Sequence, residues 1–282
     1  MIDTIVFSGG GIKIIYYIGV LKYLEENKLN ENIDTYIGSS CGAIFSLLMS
    51  LDFTSDELIK IFNNIQLDNI INIDILSYID KYGLCKSDKI INIISIILKN
   101  KLNINDPYTL TFKDLYDKNK KCITIIGTNL TDNKIEDFNY INNPNMNILD
   151  AIKISINIPL FFNKIIYNNK IYIDGGILNH YPINFTKDIN KTLGICFYNI
   201  KDEIINIKSY LLSILNIFYN KEIENISNEY KKNTIFINSN LNPIQFNIDK
   251  NELLNYINEG YNLTEKFINN HILFKKVLIQ DN

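Results

Sequence analysis

The chain has 282 residues, 28 basic and 31 acidic side chains, a formal charge of −3, and 46 % hydrophobic against 21 % charged residues. That much apolar material excludes wholesale disorder, and the near-neutral balance excludes a dedicated nucleic-acid binder, which carries a basic excess. Every basic residue is lysine, so the protein has no bidentate arginine fork with which to recognise a partner.

From the N-terminus, Thr4-Ile5-Val6-Phe7 is a short β-branched and aromatic run and predicts a buried strand. Ser8-Gly9-Gly10-Gly11 breaks it, and Ile14, Tyr17, Ile18, Leu21 and Leu24 then recur on one helical face that ends near Asn27-Lys28. A second unit follows, with Thr35-Tyr36-Ile37 as strand, Gly38 to Gly42 as turn and Ala43 to Leu51 as apolar helix. Two strand–turn–helix units in succession predict parallel strands joined by crossover helices. The segment from Ser55 to Asn105 reads as helical, with Thr54 or Ser55 as cap. Further strands are predicted at Cys122–Ile126, Lys170–Ile173, Leu193–Phe197 and Thr234–Ile237, and helices at Ile207–Tyr219 and Glu252–Asn269. The fold class that follows is α/β, a three-layer α/β/α sandwich with a mainly parallel central sheet. No repeat or Pro-rich hinge divides it, so 1–282 is expected to form a single domain.

The cysteines, at 41, 85, 122 and 196, form no C-x-x-C pair, and the histidines are His180 and His271. No metal site and no cofactor is therefore expected. The longest uncharged stretch, Thr35–Leu51, holds two Gly and five Ser or Thr, too polar for a membrane span. The chain opens without a basic and apolar leader. The expectation is a cytoplasmic protein, or one peripheral on membranes, with reduced thiols.

Three places carry chemistry. Gly38-Ser39-Ser40-Cys41-Gly42 fits G-x-S-x-G between a strand and an apolar helix. A serine there has a strained backbone that pushes its hydroxyl out of the sheet edge, while Gly38 and Gly42 let neighbouring backbone approach. Ser40 is thus either a nucleophile or a satisfied hydroxyl in a tight turn, and Cys41 is the competing nucleophile. Gly9-Gly10-Gly11 can point consecutive amides at an anion. Ile14 stands where a dinucleotide or P-loop pattern needs glycine, which puts an oxyanion ahead of a nucleotide. Lys13 is either within reach of an anionic headgroup or of the loop itself, or a solvated first-turn residue. Asp174-Gly175-Gly176 closes the Lys170–Ile173 strand, either as a turn or as a general base that reaches Ser40 because parallel strand ends share one edge of the sheet. His180 is either a local loop residue or the histidine of a Ser-His-Asp triad, for which it is the only plausible candidate.

Taken together, Phe7–Lys13 with Ile18–Glu26, Gly38–Ala43, Ala151–Phe162 and Ile173–Ile183 resemble, in order and spacing, the blocks of the patatin-like phospholipase family. The resemblance covers about residues 4–185, and 190–282 would complete the domain. It implies a Ser-Asp dyad without histidine: Ser40 as nucleophile, Asp174 as base, Gly9, Gly10 and Gly11 as oxyanion hole, with Lys13, Gly38, Gly42, Gly175 and Gly176 in support. It further implies a phospholipid or other fatty-acyl ester substrate, phospholipase A or lysophospholipase chemistry and peripheral membrane contact. Acyl transfer, neutral-glyceride hydrolysis or a catalytically silent lipid-binding module remain open on the same residues. Two departures are Ile14, where the family commonly has glycine, and His180, where it has asparagine. Two apolar stretches, Ile90–Leu98 and Ser209–Tyr219, are each either core, a lid or an interfacial face.

Overall fold

The computed structural model describes residues 2–65, 82–198, 204, 207–239, 241–243, 245 and 247–271. Strand β1 (Thr4–Phe7), a single 3-10 turn at Gly11–Lys13 and helix α1 (Ile14–Glu26) open the chain. Strand β2 (Thr35–Ser39) and helix α2 (Cys41–Ser50) follow, the strand ending two residues later and the helix starting two residues earlier than the sequence pattern suggests. Helix α3 (Ser55–Asn64) is set by a capping box in which the Thr54 side chain accepts from the Glu57 amide and Glu57 reaches back to Thr54.

The stretch expected to be helical through Asn105 is interrupted: β3 (Gly83–Cys85) precedes α4 (Asp88–Leu102), and 66–81 lie outside the described residues. After α5 (Phe112–Asn119) come β4 (Cys122–Asn129), β5 (Lys134–Phe138), α6 (Ile148–Ser155), β6 (Leu160–Phe162), β7 (Ile165–Tyr167) and β8 (Lys170–Asp174). The chain continues through α7 (Gly176–Asn179), β9 (Thr192–Tyr198), α8 (Ile207–Glu224), α9 (Asn228–Lys232), β10 (Thr234–Asn238) and α10 (Lys250–Asn270).

The main sheet runs β10-β9-β1-β2-β4-β8-β7, with β5 also paired to β4. From β10 to β4 every pairing is parallel, and β5, β8 and β7 add antiparallel pairs. β3 and β6 form a separate parallel pair. Strand periodicity divides the interior in two, because successive side chains leave opposite faces of the pleat. Ile5, Phe7, Tyr36, Leu193, Ile195 and Phe197 join the large core beneath α1, α2 and α10. Val6, Ile37 and Cys196 point the other way and pack with Tyr181, Ile183 and, from α8, Ile223. Helices on both faces of a mainly parallel sheet are the three-layer α/β/α sandwich.

Close packing of α1 against α10 depends on two glycines. A Cβ on Gly19 would lie 1.9 Å from the Ile257 carbonyl oxygen, and one on Gly260 would lie 2.2 Å from that of Tyr16. Both contacts are with backbone, so only a shift of a whole helix could relieve them. Gly260→Ala is expected to destabilise the protein by about 2 kcal/mol despite its better helix propensity. For a chain of this size that lowers Tm by roughly 5 °C. The exposed Asn258→Ala on the same helix should leave Tm unchanged; thermal unfolding of the two variants side by side tests this.

Candidate active site

Ser40 sits between β2 and α2 with φ 54° and ψ −125°. That region is sparsely populated by L-residues and costs on the order of 1–3 kcal/mol. The surrounding backbone holds it there. The Ser40 N–H donates to Ser155 Oγ at 2.9 Å, and Ser155 Oγ donates to the Ile126 carbonyl at 2.6 Å. The flanking glycines are required by close approach: a Cβ on Gly38 would fall 2.2 Å from the Gly42 carbonyl oxygen, and one on Gly42 would fall 2.4 Å from that of Phe7.

Asp174 ends β8, where the Ser40 hydroxyl donates to its Oδ2 at 2.7 Å. The two side chains, far apart in sequence, meet. The route differs from the one expected. Asp174 does not arrive on a parallel strand ending at the same edge: β8 runs antiparallel to β4, pairing Asp174 with Gly127, while β2 pairs Ser39 with Ile126 of the same strand. β4 extends past the end of β2, and β8 descends along that extension until its last residue reaches Ser40. The Asp174 N–H donates to the Asn157 carbonyl at 2.8 Å and the Gly175 N–H to the Ser155 carbonyl at 3.2 Å. Gly176 opens α7 instead of closing a turn, and its N–H donates to Asp174 Oδ1 at 2.7 Å. Both carboxylate oxygens thus accept one hydrogen bond each. Burial nevertheless pushes the Asp174 pKa up to about 7, the bonds from Ser40 and Gly176 offsetting part of the cost.

The glycine loop packs against Ser40, but its three amides are not equivalent. The Gly9 N–H donates to the His180 carbonyl at 3.0 Å, so the expectation that all three face an anion is narrowed. A small recess of about 30 Å³ remains, bounded by Gly9, Gly10, Gly11, Ser40 and Asp174 and roofed from α8 by Leu212, Asn216 and Tyr219.

Lys13 is not the solvated first-turn residue of one expectation. It is fully buried, its Nζ donates to the Ser239 carbonyl at 3.2 Å, and it lies 5.9 Å from the Phe197 ring centre. His180 is buried and stacked on Tyr219 with ring centres 4.1 Å apart. Burial, reinforced by the nearby Lys13 charge, lowers its pKa to about 3, so the imidazole is neutral. Burial and the neighbouring Asp174 push the Cys41 thiol well above its ordinary range, which removes the thiolate a competing nucleophile needs.

Beside Ser40 opens a second cavity of about 130 Å³. Its walls are Cys41, Ile44 and Leu48 of α2, Ile61 and Phe62 of α3, Ile90, Ile93, Ile94 and Ile97 of α4, and Phe161 and Phe162. Ile90–Leu98 is therefore the wall of an apolar cavity as much as core. Sequence reasoning did not single out Ser155, whereas the α8 roof falls within the Ser209–Tyr219 stretch that it did single out. A small polar residue between Lys153 and Asn157 in the otherwise apolar Ala151–Phe162 block is the one local signal Ser155 offers. Among the described residues, no cluster of His, Cys, Asp or Glu could hold a metal and no helix is long and apolar enough to cross a membrane.

A three-layer α/β/α sandwich with a serine on a strained strand–helix turn, at the mouth of an apolar cavity, has the architecture of a lipid hydrolase. A family model described as patatin-like phospholipase matches residues 5–186, and the chain belongs to that family. It is 31 % identical over 267 residues to a probable lipid hydrolase, 463L, of Invertebrate iridescent virus 6, covering 91 % of this chain and 86 % of that protein. It is 30 % identical over 266 residues to an uncharacterised protein of Acanthamoeba polyphaga mimivirus, covering 88 % and 87 %. Among solved structures, VipD from Legionella pneumophila has a TM-score of 0.61 at 19 % identity, covering 95 % of this chain and 67 % of that one. The type III effector ExoU of Pseudomonas aeruginosa has a TM-score of 0.55 at 15 % identity, covering 99 % of this chain and 54 % of ExoU.

The buried carboxylate has a consequence for stability. The Asp174 pKa is raised in the folded state, so between about pH 4 and 7 the folded chain binds more protons than the unfolded one, and stability falls as pH rises through that window. Above pH 7 the whole cost of the buried charge is present. Asp174→Asn keeps the Gly176 contact and removes the charge. It should melt higher than wild type at pH 8, the gap closing as pH drops toward 4. Equal Tm values at pH 8 would show that the carboxylate is not held against its solvation.

Proposed function

We propose that this chain hydrolyses fatty-acyl esters of phospholipids or lysophospholipids, with Ser40 as nucleophile and Asp174 as general base. The observation that carries the reading is the 2.7 Å Ser40–Asp174 hydrogen bond at the mouth of an all-apolar cavity. An acyl chain fits that cavity because its walls offer methyl and aryl groups and exclude water.

Asp174 Oδ2 accepts the Ser40 proton as Oγ attacks the ester carbonyl carbon. The oxyanion lies against the Gly10 and Gly11 amides, with Gly9 holding the loop in place through His180. The tetrahedral adduct collapses, the C–O bond to the alcohol breaks, and Asp174 returns the proton to the departing oxygen. Asp174 then deprotonates a water that attacks the acyl-enzyme; the second collapse frees the fatty acid, and the proton returns to Ser40. Every proton moves between Ser40, Asp174, the alcohol and water, so no metal enters this scheme. A carboxylate with a pKa near 7 is a far better base toward serine than one near 4, which gives the burial a catalytic use.

The proposed domain is the whole chain. Strands β9 and β10 extend the sheet beside β1, α10 packs along α1, and α8 covers the recess above Ser40. Membrane contact is assigned to α8. Leu212, Asn216 and Tyr219 face the protein, whereas Tyr210 (50 % exposed), Ile214 (37 %), Ile217 (67 %) and Phe218 (59 %) face outward. Those positions form one helical stripe, and residues 209–220 contain no charge.

Ser40→Ala and Asp174→Ala should each lower kcat on a short-chain p-nitrophenyl ester about a thousandfold or more. Wild-type kcat/KM should fall on the acid side with a midpoint near pH 7, because the deprotonated carboxylate is the active form. Turnover near wild type in either variant overturns the reading. Free fatty acid among the products, read by mass spectrometry, identifies water as the acceptor; an acylated second alcohol identifies transfer.

For membrane contact, the double variant Ile217→Glu with Phe218→Glu should lose flotation with anionic or zwitterionic liposomes while keeping its Tm and its rate on the soluble ester. Undiminished flotation removes α8 from the lipid contact.

A further inference from the structure

We propose that Glu222 is a positioning residue for the ester chemistry: from α8 its carboxylate fixes the His180–Tyr181 backbone, which in turn holds the glycine loop over Ser40. The inference rests on the Ser40–Asp174 reading and concerns what keeps that site in register.

α7 is four residues long and ends at Asn179, so the next two amides have no helical partner. Both donate to one carboxylate: His180 N–H to Glu222 Oε2 at 2.7 Å and Tyr181 N–H to Oε1 at 2.9 Å. Among the described residues no cation stands within ion-pair distance of that carboxylate. A neutral acceptor would meet the same need at less desolvation cost. What the carboxylate adds is a planar fork with two short charge-assisted bonds, a stiffer tether than one amide oxygen supplies.

The tethered residue is also bonded on its other side. The His180 carbonyl accepts the Gly9 N–H at 3.0 Å, and His180 Nδ1 lies 3.0 Å from where a Cβ on Gly9 would be. Tyr219, one turn before Glu222 on α8, clamps the imidazole face. At the opposite end of the same segment the Gly176 N–H donates to Asp174 Oδ1. Residues 176–181 therefore touch the proposed base at one end and the glycine loop at the other, and α8 grips them through Glu222 and Tyr219. A shift of about 1 Å at the reacting groups costs on the order of a hundredfold in rate.

The test is steady-state kinetics of full-length Glu222→Gln on the p-nitrophenyl ester, beside wild type, Ser40→Ala and Glu224→Gln, which alters an exposed carboxylate on the same helix. The substituted amide would present its NH₂ group to one of the two backbone N–H donors and release it. The expected result is a kcat lowered about ten- to a hundredfold with KM within twofold of wild type, and Glu224→Gln unchanged. The kcat/KM split is a readout that loss of folded protein alone would not give once active sites are titrated with a fluorophosphonate. Wild-type kcat overturns the proposal, and so does a raised KM with kcat intact, which would make Glu222 a binding contact. Should Glu222→Gln fail to fold, Glu222→Asp, which keeps the charge and reaches one amide, is judged by the same split. Failure of both to fold assigns the residue to stability and also overturns the proposal. Ser40→Ala separates the two levels: if it retains turnover, the Ser40 reading falls whatever Glu222 does. If it is inactive while Glu222→Gln is wild type, only the positioning role falls.

Discussion

The rest of this structure is arranged around one buried hydrogen bond, from Ser40 Oγ to Asp174 Oδ2. A carboxylate stripped of water is costly, and the protein compensates with few groups: one hydroxyl and one backbone N–H. That economy leaves the carboxylate basic. More donors would have solvated it and returned its pKa to the ordinary carboxylate range. The strain at Ser40 belongs to the same arrangement. A relaxed turn would carry the hydroxyl away from Asp174, and the Ser155 hydroxyl bridging the Ser40 amide and the β4 edge keeps that relaxation from occurring.

Much of this is legible in the sequence because it is local. The β-branched run at Thr4–Phe7 marks β1 with its observed ends, and G-x-S-x-G flanked by an apolar strand and helix locates the turn that holds Ser40. The helical period that places α1 and α10 is equally short-ranged. What the sequence does not reveal is relational. Strand alternation is the same in parallel and antiparallel strands, so Lys170–Ile173 gives no sign that β8 runs against β4. Gly83–Cys85 is too short to outweigh the helical composition around it. Lys13 looks solvated in any window of sequence, and its burial under Phe197 and Ser239 depends on residues far along the chain. The engagement of the Gly9 amide by His180, and the grip of Tyr219 and Glu222 on His180, are likewise contacts between distant segments with no local pattern.

The two interiors divide the work. The large core beneath α1, α2 and α10 carries the sheet and grades into the apolar cavity, since α2 supplies both Phe45 and Leu47 to the core and Ile44 and Leu48 to the cavity wall. Helical spacing makes that possible: Cys41, Ile44 and Leu48 share a face that begins at Ser40 itself. The residue that presents the hydroxyl is therefore continuous with the surface that would seat an acyl chain, and both move only if α2 moves.

On the opposite face of the sheet, α8 is under a different constraint. Its inner positions must fill the space above Ser40 and hold the His180 segment, so Leu212, Tyr219 and Glu222 turn inward. Nothing described covers Tyr210, Ile217 or Phe218, although a helix in water ordinarily places charge there. Their exposure raises the aggregation risk of the free protein without improving its packing. A helix that closes the proposed lipid-cleaving site from above, and is uncharged over residues 209–220, reconciles those demands in one way. Under the proposed function its outer face would meet the medium from which the substrate comes, so that contact with lipid and access to Ser40 would be governed by one element.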